Sequence, residues 1–208
     1  MMRLLLKPVH LLTELSGVYA LGQWVGRPTT RRFRKLFRRH VPLAPHDRVL
    51  DLGCGIGGYR DCFVGDYHGI DINPQYVETC RARHRGRFDV MDCTDLRFAD
   101  ASFDHVVTIA TTHHLSDEEL VRTVREALRV CAPGGMLHVI DAILPVSPNF
   151  TFKRLYFRAD RGRHPRELGT LLDVVGRGGE VAEVWTKTGP LHDTCYLRVV
   201  AAPPQAAE

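Results

Sequence analysis

The strongest constraint on this chain is a dense run of glycines between two short apolar segments that each end in aspartate. The first segment leads through Asp51 into Gly53, Gly55 and Gly58, and the second ends at Asp71, about twenty residues later. Glycines permit tight turns and close approach of a ligand, because no Cβ blocks positive φ. This order is expected when a nucleoside lies across the carboxyl ends of two neighbouring parallel strands.

The glycine spacing alone leaves two nucleotide ligands open. Gly53, Gly55 and Gly58 satisfy the G-x-G-x-x-G pattern of dinucleotide sites. Asp51 argues against a dinucleotide, because a carboxylate close to the first glycine repels a pyrophosphate and favours a ligand with a cationic amino-acid tail. The length predicts one domain, without a second domain for hydride chemistry. These features favour S-adenosylmethionine over NAD.

The order and spacing of the motifs resemble those of class I S-adenosylmethionine-dependent methyltransferases, in their small, single-domain branch. The segments that carry the resemblance are 49–59, 69–73, 92–98, 103–107 and 133–135. The resemblance implies an α/β, Rossmann-like fold with a seven-stranded, mostly parallel sheet and helices on both faces. It also implies that the last strand is antiparallel and that N-terminal helices cover the cofactor crevice.

The resemblance further implies a set of cofactor-binding residues. They are Asp51, Gly53, Gly55, Asp71, Ile72, Asp92, Cys93 and Ala110. Asp51 is expected to anchor the cationic methionine end, and Asp71 to accept hydrogen bonds from the ribose hydroxyls. Ile72 is expected to pack on the adenine, near the Asp92 carboxylate and the Cys93 backbone, and the Ala110 carbonyl to face the methionine ammonium. Because a strand-ending carboxylate is often a turn or cap residue, a structural role for Asp71 and Asp92 stays open.

Two adjacent histidines are the candidates for catalysis. His113 and His114 follow the fourth predicted strand, where the active centre of the resembling family lies. Histidine titrates near neutrality, and a base is needed only if the acceptor loses a proton as it reacts. A structural role for the pair also stays open. The segment lacks the Asn/Asp-Pro-Pro-Tyr/Phe motif, which argues against N-methylation of amides or exocyclic base nitrogens.

The acceptor is expected to contact variable parts of the chain. Tyr19, Tyr156 and Arg161 are the candidate substrate-binding residues, and the last two belong to a basic covering segment at about 144–164. That segment suits an acceptor with a carboxylate, phosphate or phenolate, although an exposed basic loop is the alternative. The six cysteines show no metal-ligand spacing, so we expect no metal and free thiols in a reducing compartment.

The charge distribution divides the chain near residue 45. Residues 1–40 hold nine Lys or Arg and one Glu, whereas the whole chain carries +4. We therefore expect an N-terminal helical cap over 1–45 and a methyltransferase core over 46–208. The basic stretch Arg27–Arg39 suits nucleic acid, an anionic lipid or an acidic partner, or else it is a solvated face docked on the core. No apolar run is long enough to span a membrane, and we expect a cytoplasmic protein; peripheral membrane contact through Leu4–Leu15 is a weaker alternative.

The hydrophobic pattern predicts alternating strands and helices. We expect a helix over 58–64 after the glycines, a capped helix from Ser116 to about Val130, and a fifth strand over 136–141. A helix over 165–175 and a terminal hairpin of 181–187 with 194–201 should follow.

These patterns favour transfer of a methyl group from S-adenosylmethionine to a small-molecule acceptor, at oxygen before nitrogen or carbon. One alternative is an RNA or protein methyltransferase that uses the basic N-terminal helix as its contact surface. Another is a non-catalytic scaffold of the same fold, against which the intact Asp51, Gly53, Gly55 and Asp71 argue. The oligomeric state stays open.

Overall fold

The computed structural model of the chain describes residues 27–145, 163–189 and 192–201. Its strands are β1 (Arg48–Leu52), β2 (Asp66–Asp71), β3 (Arg87–Val90), β4 (Phe103–Ile109), β5 (Cys131–Ile143), β6 (Glu180–Lys187) and β7 (Asp193–Val200). Its α-helices are α1 (Arg27–His40), α2 (Pro74–Arg83), α3 (Asp117–Val130) and α4 (Leu168–Gly176). Within these ranges no helix combines the length and the apolarity needed to cross a bilayer.

All seven strands form one sheet in the order β3-β2-β1-β4-β5-β7-β6. The pairs from β3 through β5 are parallel, whereas β7 runs antiparallel to both β5 and β6. The expected Rossmann-like sheet with an antiparallel last strand is therefore confirmed. The order reverses next to β1, so the carboxyl ends of β1 and β4 border a crevice of the kind in which such sheets bind ligands.

Helices pack on both faces of the sheet, as expected. Leu120 of α3 and Leu171 of α4 belong to the apolar cluster on one face. Phe33 and Phe37 of α1 and Val77 of α2 belong to the cluster on the other. Each of these side chains is almost completely buried, and full burial of a large apolar side chain contributes about 1.5–3 kcal/mol. The central strands are apolar on both sides because both of their faces are covered.

Helix α1 places its apolar and basic residues on different sides. Phe33, Leu36 and Phe37 recur at helical spacing and are buried against the sheet. Arg34 pairs with Asp61 at 3.0 Å. This helix therefore docks on the core, which agrees with the interpretation of Arg27–Arg39 as a solvated face of a docked helix. The division of the chain at residue 45 stays a prediction.

A chain of buried polar side chains also joins α1 to the sheet. His105 Nδ1 lies 3.0 Å from His138 Nε2, and His138 Nδ1 lies 3.0 Å from the Tyr196 hydroxyl. That hydroxyl donates to the His40 carbonyl at 3.2 Å. Burial, together with the charges of His105 and Arg198, lowers the pKa of His138 to about 3, so this imidazole is neutral at physiological pH.

Two predicted elements differ in the structure. The helix predicted over 58–64 is wrong, because only Arg60–Cys62 form a single 3-10 turn. Three preceding glycines have positive φ, and Phe63 is already extended, so too few residues remain to nucleate an α-helix. The fifth strand begins at Cys131 rather than 136. Its Pro-Gly-Gly residues form an irregularity opposite Phe103 and His105 instead of a turn before the strand.

Other local predictions are confirmed. The Ser116 side chain accepts from the Glu119 N–H while the Glu119 carboxylate accepts from the Ser116 N–H, so a complete capping box starts α3. The terminal hairpin forms from β6 and β7. The helix after the covering segment begins at Leu168 rather than 165, because Arg166 binds the turn after β4 and Glu167 forms a β-bridge with Leu144.

Candidate functional site

The loop after β1 is built around glycines that no other residue could replace without strain. Gly53 has φ +74° and Gly55 has φ +56°, and both lie in the left-handed region. A Cβ on Gly53 would lie 2.6 Å from the Thr111 hydroxyl, so the loop also approaches the chain after β4 closely. The amides of Gly53 and Cys54 both donate to the Ile70 carbonyl at 2.9 Å, which ties the loop to β2.

Asp71 lies at the carboxyl end of β2, facing the glycine loop. Its Oδ2 accepts from the Gly55 N–H and its Oδ1 from the Asn73 N–H, both at 2.9 Å. Burial raises the pKa of Asp71 above its ordinary value, and the two backbone hydrogen bonds oppose that shift. Each oxygen of a carboxylate has about two acceptor positions, so both oxygens retain capacity for a further donor.

Asp51 lies two residues before the loop and is 4% exposed. The Tyr67 hydroxyl donates to its Oδ2 at 2.8 Å. Burial raises the pKa of Asp51 to about 7, against the lowering effect of that hydrogen bond. The charge of Asp71 raises the pKa further, and Arg60 lowers it. A carboxylate in this condition is stabilised by any cation that reaches it.

The remaining predicted cofactor residues follow the carboxyl ends of β2, β3 and β4, and of these only Ala110 lines the cleft described below. Ile72 is 70% exposed, an unusual position for a large apolar side chain, directly after Asp71. Asp92 follows β3, and its Oδ1 accepts from the Thr94 N–H at 2.8 Å, as a turn residue does. Cys93 receives a hydrogen bond from Thr123 at 3.5 Å. Ala110 has φ +57°, which is costly for a residue with a Cβ.

A cleft of about 100 Å³ brings several of these residues together. Its lining residues come from the glycine loop and from the end of β4; they are Gly53, Cys54, Gly55, Ile56, Gly58, Tyr59, Ile109 and Ala110. Asp71 is joined to this group through the Gly55 amide. The Met91 amide donates to the Asp71 carbonyl, which places Asp92 at the adjacent strand end.

His113 lies in a 3-10 turn after β4 and forms a buried pair with Asp141 near the end of β5. His113 Nδ1 lies 2.7 Å from Asp141 Oδ1, and the two residues are 6% and 0% exposed. Thr112 donates to Asp141 Oδ2 through both its amide and its hydroxyl, and the Ala142 amide donates to Oδ1. Burial would raise the pKa of Asp141, but the charge of His113 and these hydrogen bonds hold it below its ordinary value.

Arg166 secures the turn that carries His113. Its guanidinium donates to the carbonyls of Thr112 and Leu115 and to the Asp117 carboxylate, at 2.6 to 2.9 Å. The His164 amide donates to the His113 carbonyl at 2.9 Å. The end of the covering segment and the residue Arg166 just after it therefore hold the histidine turn in place. His114 is exposed, and its ring lies 4.3 Å from that of His113.

The predicted acceptor-binding residues, Tyr19, Tyr156 and Arg161, lie outside the described residues, as does most of the covering segment. Sequence reasoning missed three side chains of the candidate site: Tyr67, Asp141 and Arg166. Asp141 carried a usable signal, because it is a third aspartate near the carboxyl end of an apolar strand at the edge that holds Asp51 and Asp71.

These residues fit S-adenosylmethionine, on the chemistry of the donor and acceptor groups present. Asp51 is a buried carboxylate with spare acceptor positions, which suits an ammonium group. Asp71 retains acceptor capacity at both oxygens, which suits a ribose diol. Ile72 presents an apolar surface beside it, which suits an adenine ring.

Comparison with known proteins supports the same assignment. Residues 50–139 match the methyltransferase domain family. A 2-methyl-6-phytyl-1,4-hydroquinone methyltransferase of Synechocystis is 35% identical over 62% of this chain and 38% of its own length. The 27-O-demethylrifamycin SV methyltransferase of Amycolatopsis mediterranei is 37% identical over 52% of this chain and 43% of its own length. The chain thus spans less than half the length of these relatives.

The fold has close counterparts among solved structures. The methyltransferase in a complex with the Trm112 activator from Haloferax volcanii superposes with a TM-score of 0.69. That match is 20% identical and covers 89% of this chain and 97% of the other. At this identity the likeness concerns the fold. Motif order, sheet topology and the family match agree, and residues 50–139 are a methyltransferase domain with the architecture of the class I S-adenosylmethionine-dependent enzymes.

Proposed function

We propose that this domain transfers a methyl group from S-adenosylmethionine to a small-molecule acceptor, at oxygen before nitrogen or carbon, with His113 as general base. The observation that carries the proposal is the buried contact of 2.7 Å between His113 Nδ1 and Asp141 Oδ1. A hydroxyl acceptor must lose its proton as it reacts, so a positioned base is of most use for oxygen.

Asp141 determines which nitrogen of His113 can accept a proton. A carboxylate that accepts from Nδ1–H fixes the tautomer in which Nε2 carries the lone pair. The same carboxylate stabilises the imidazolium that forms when Nε2 takes the acceptor's proton. Because Thr112 and Ala142 also donate to Asp141, the carboxylate cannot turn away from the imidazole without losing these bonds.

The cofactor residues prepare the other reactant. When bound, S-adenosylmethionine supplies a methyl group on a sulfonium, which is already activated for displacement. Asp51 is expected to hold the ammonium and Asp71 the ribose diol, while the glycine loop excludes water from the reacting centre. Ala110, which lines the cleft, and His113 belong to the same short segment after β4, and we expect the base to approach the acceptor from that segment. Catalysis then rests mainly on proximity and orientation.

The relatives support an oxygen acceptor without excluding nitrogen. Besides the rifamycin enzyme, a tocopherol O-methyltransferase of Arabidopsis thaliana is 33% identical over 45% of this chain. A norajmaline N-methyltransferase of Rauvolfia serpentina is 34% identical over the same share. Small molecules with a hydroxyl are therefore the first class of acceptor to screen, and amines the second.

The test follows transfer of a labelled methyl group to panels of phenols, alcohols and amines, with wild type, His113→Gln and His114→Gln. For a hydroxyl acceptor we expect His113→Gln to lose roughly 10²–10⁴-fold in kcat, the usual contribution of general base catalysis. His114→Gln serves as the matched comparison because its imidazole is exposed. Equal losses in the two variants, or transfer to amines alone, would contradict the proposal.

A second candidate function rests on the exposed side of α1. Arg31, Lys35, Arg38 and Arg39 are exposed, whereas Arg34 is engaged with Asp61. A relative from mouse, probable tRNA methyltransferase 9B, is 39% identical over 46% of this chain. If RNA is the acceptor, binding should weaken steeply with salt, and the slope should fall by roughly one unit for each phosphate-contacting cation replaced by glutamine. Salt-independent or undetectable RNA binding would exclude this function.

A further inference from the structure

Two thiols meet at the glycine loop that follows β1. Cys54 lies within the loop after β1, and Cys80 lies in the second half of α2. The Cys80 thiol donates to the Gly55 carbonyl at 3.2 Å, and the Cys54 thiol lies 3.8 Å from the same oxygen. Two residues 26 positions apart in the sequence thus share one acceptor, the Gly55 carbonyl, where the glycine loop turns.

The pair is shielded from bulk water but borders the crevice. Cys54 is 7% exposed and lines the cleft together with Gly53 and Gly55, whereas Cys80 is completely buried behind it. A small neutral oxidant therefore reaches the pair from the crevice, on the side that a bound cofactor covers. The other cysteines do not line this cleft; Cys62, for example, is buried in the apolar cluster under α1.

The thiols are chemically unequal. The neighbouring Cys54 thiol lowers the pKa of the Cys80 thiol, against the raising effects of burial and of Asp51 and Asp71. The Cys80 thiol, burial and the nearby carboxylates raise the pKa of Cys54. A thiolate is the form that attacks a peroxide, and a neighbouring thiol is what resolves the product into a disulfide.

We propose that Cys54 and Cys80 are a redox-modification site at which hydrogen peroxide forms a reversible disulfide that blocks cofactor binding. The Cys80 thiolate attacks one peroxide oxygen, the O–O bond breaks, and hydroxide leaves, giving a sulfenic acid. The Cys54 sulfur then attacks the sulfenic sulfur, the S–O bond breaks and the S–S bond forms. Two thiols lose two electrons and two protons, and the peroxide is reduced to two molecules of water.

The disulfide acts on the cofactor through the loop geometry. Bond formation draws the Cys54 side chain towards α2 and removes both thiol donors from the Gly55 carbonyl. The Gly55 N–H holds Asp71 Oδ2, and Gly55 itself is in the left-handed region. Because this N–H belongs to the peptide between Cys54 and Gly55, movement of Cys54 rotates it and displaces the carboxylate expected to bind the ribose. Conversely, a ligand in the crevice covers Cys54 and slows the oxidation.

The experiment treats the full chain with hydrogen peroxide, with and without S-adenosylhomocysteine, and maps peptides by mass spectrometry without reduction. We expect a peptide linked through Cys54 and Cys80, formed more slowly when the ligand is present. Calorimetry should show loss of S-adenosylhomocysteine binding after oxidation and its return after dithiothreitol. Neither measurement needs a methyl acceptor. The result is therefore independent of whether the proposed methyl transfer is correct.

Two variants make the result specific. Cys80→Ser retains a donor for the Gly55 carbonyl and should bind the ligand but resist peroxide inactivation. Cys62→Ser should respond to peroxide as wild type does. The proposal is overturned if no Cys54–Cys80 peptide forms, if it forms without loss of binding, or if Cys80→Ser is inactivated as fast as wild type. The peptide map of the wild-type protein decides the question even if a variant does not fold.

Discussion

Two aspartates in the same sheet, Asp51 in β1 and Asp141 in β5, are equally buried but differ in their ionisation. They are 4% and 0% exposed, on strands separated only by β4. Burial raises the pKa of Asp51 to about 7. The pKa of Asp141 is held below its ordinary value in spite of burial, by His113, Thr112 and Ala142. Burial therefore does not decide the charge state of a carboxylate in this fold.

The difference lies in the number of donors. In the described part of the chain, Asp51 accepts one side-chain hydrogen bond, from Tyr67. Asp141 accepts four, from the Thr112 amide and hydroxyl, His113 and the Ala142 amide. The acceptor positions of Asp141 are thus used to orient its neighbours, whereas Asp51 keeps acceptor positions that a cationic ligand fills under the proposed function. One carboxylate is saturated and pre-formed, and we propose that the other is completed by binding.

The largest expected effect comes from Asp141→Asn. All four contacting groups are donors, so the asparagine NH₂ must face at least one of them. Disrupting a buried charged network typically costs about 3–5 kcal/mol. We expect a loss of that order in the free energy of unfolding in urea at pH 8, and a loss of methyl transfer per folded molecule of roughly 10²–10⁴-fold.

Asp104→Asn is the matched control for that variant. Asp104 lies in β4 and receives bonds from the Arg48 backbone and guanidinium, so it is also well supplied with donors, and Arg48 lowers its pKa to about 2. Its side chain is 36% exposed, and it lies at the amino end of β4, opposite the end that leads into the histidine turn. Its replacement should leave transfer per folded molecule unchanged; a loss equal to that of Asp141→Asn would remove the special role of the latter.

The same substitution at Asp51 should have the opposite effect on stability. Because the pKa of Asp51 is raised in the folded state, the folded state binds the proton more tightly, and stability falls as pH rises from about 4 to about 7. Asp51→Asn removes that cost, so we expect a gain on the order of 1–3 kcal/mol in urea at pH 8. Cofactor affinity should fall by roughly 10–100-fold, the value of a charged hydrogen bond.

The pH dependence of binding tests the same point. A cationic ligand favours ionised Asp51, so the affinity for S-adenosylhomocysteine should rise as pH rises through about 7, with a proton released on binding below that pH. Calorimetry in buffers of different ionisation enthalpy measures the released proton. The release should disappear in Asp51→Asn. Release that persists in this variant would assign the titration to another group.

A smaller effect follows from changing one donor on each carboxylate. Thr112→Val removes the hydroxyl from Asp141 and should raise its pKa, at a cost of about 1–2 kcal/mol in urea unfolding. Tyr67→Phe removes the hydroxyl from Asp51 and should move the midpoint of the pH-dependent affinity above 7. If Tyr67→Phe leaves that midpoint unchanged, then Tyr67 does not set the ionisation of Asp51.

The sequence was sufficient to predict the fold, and it placed the candidate cofactor residues at the ends of neighbouring strands. Period and turn residues locate β1, β2 and β4, and the acids at strand ends meet because parallel strands share one edge. The donors of Asp51 and Asp141 were not predictable, because Tyr67 and Thr112 reach them from other strands and turns. The sequence pattern predicts Arg166 as part of a helix. Local periodicity does not show that its guanidinium binds carbonyls about 50 residues earlier in the chain.

The smallest expected effect separates strain at the site from strain elsewhere. Ala110 and Ala101 both have φ +57°, but only Ala110 lines the cleft. Replacing either by glycine relieves a left-handed alanine and should raise the free energy of unfolding by about 1 kcal/mol. Ala110→Gly should also weaken S-adenosylhomocysteine binding, because a freer backbone must be ordered at the end of β4, whereas Ala101→Gly should bind as wild type. Equal affinities in the two variants would mean that the strained backbone at Ala110 does not contribute to cofactor binding. The end of β4 would then be no more pre-formed for the cofactor than the turn at Ala101.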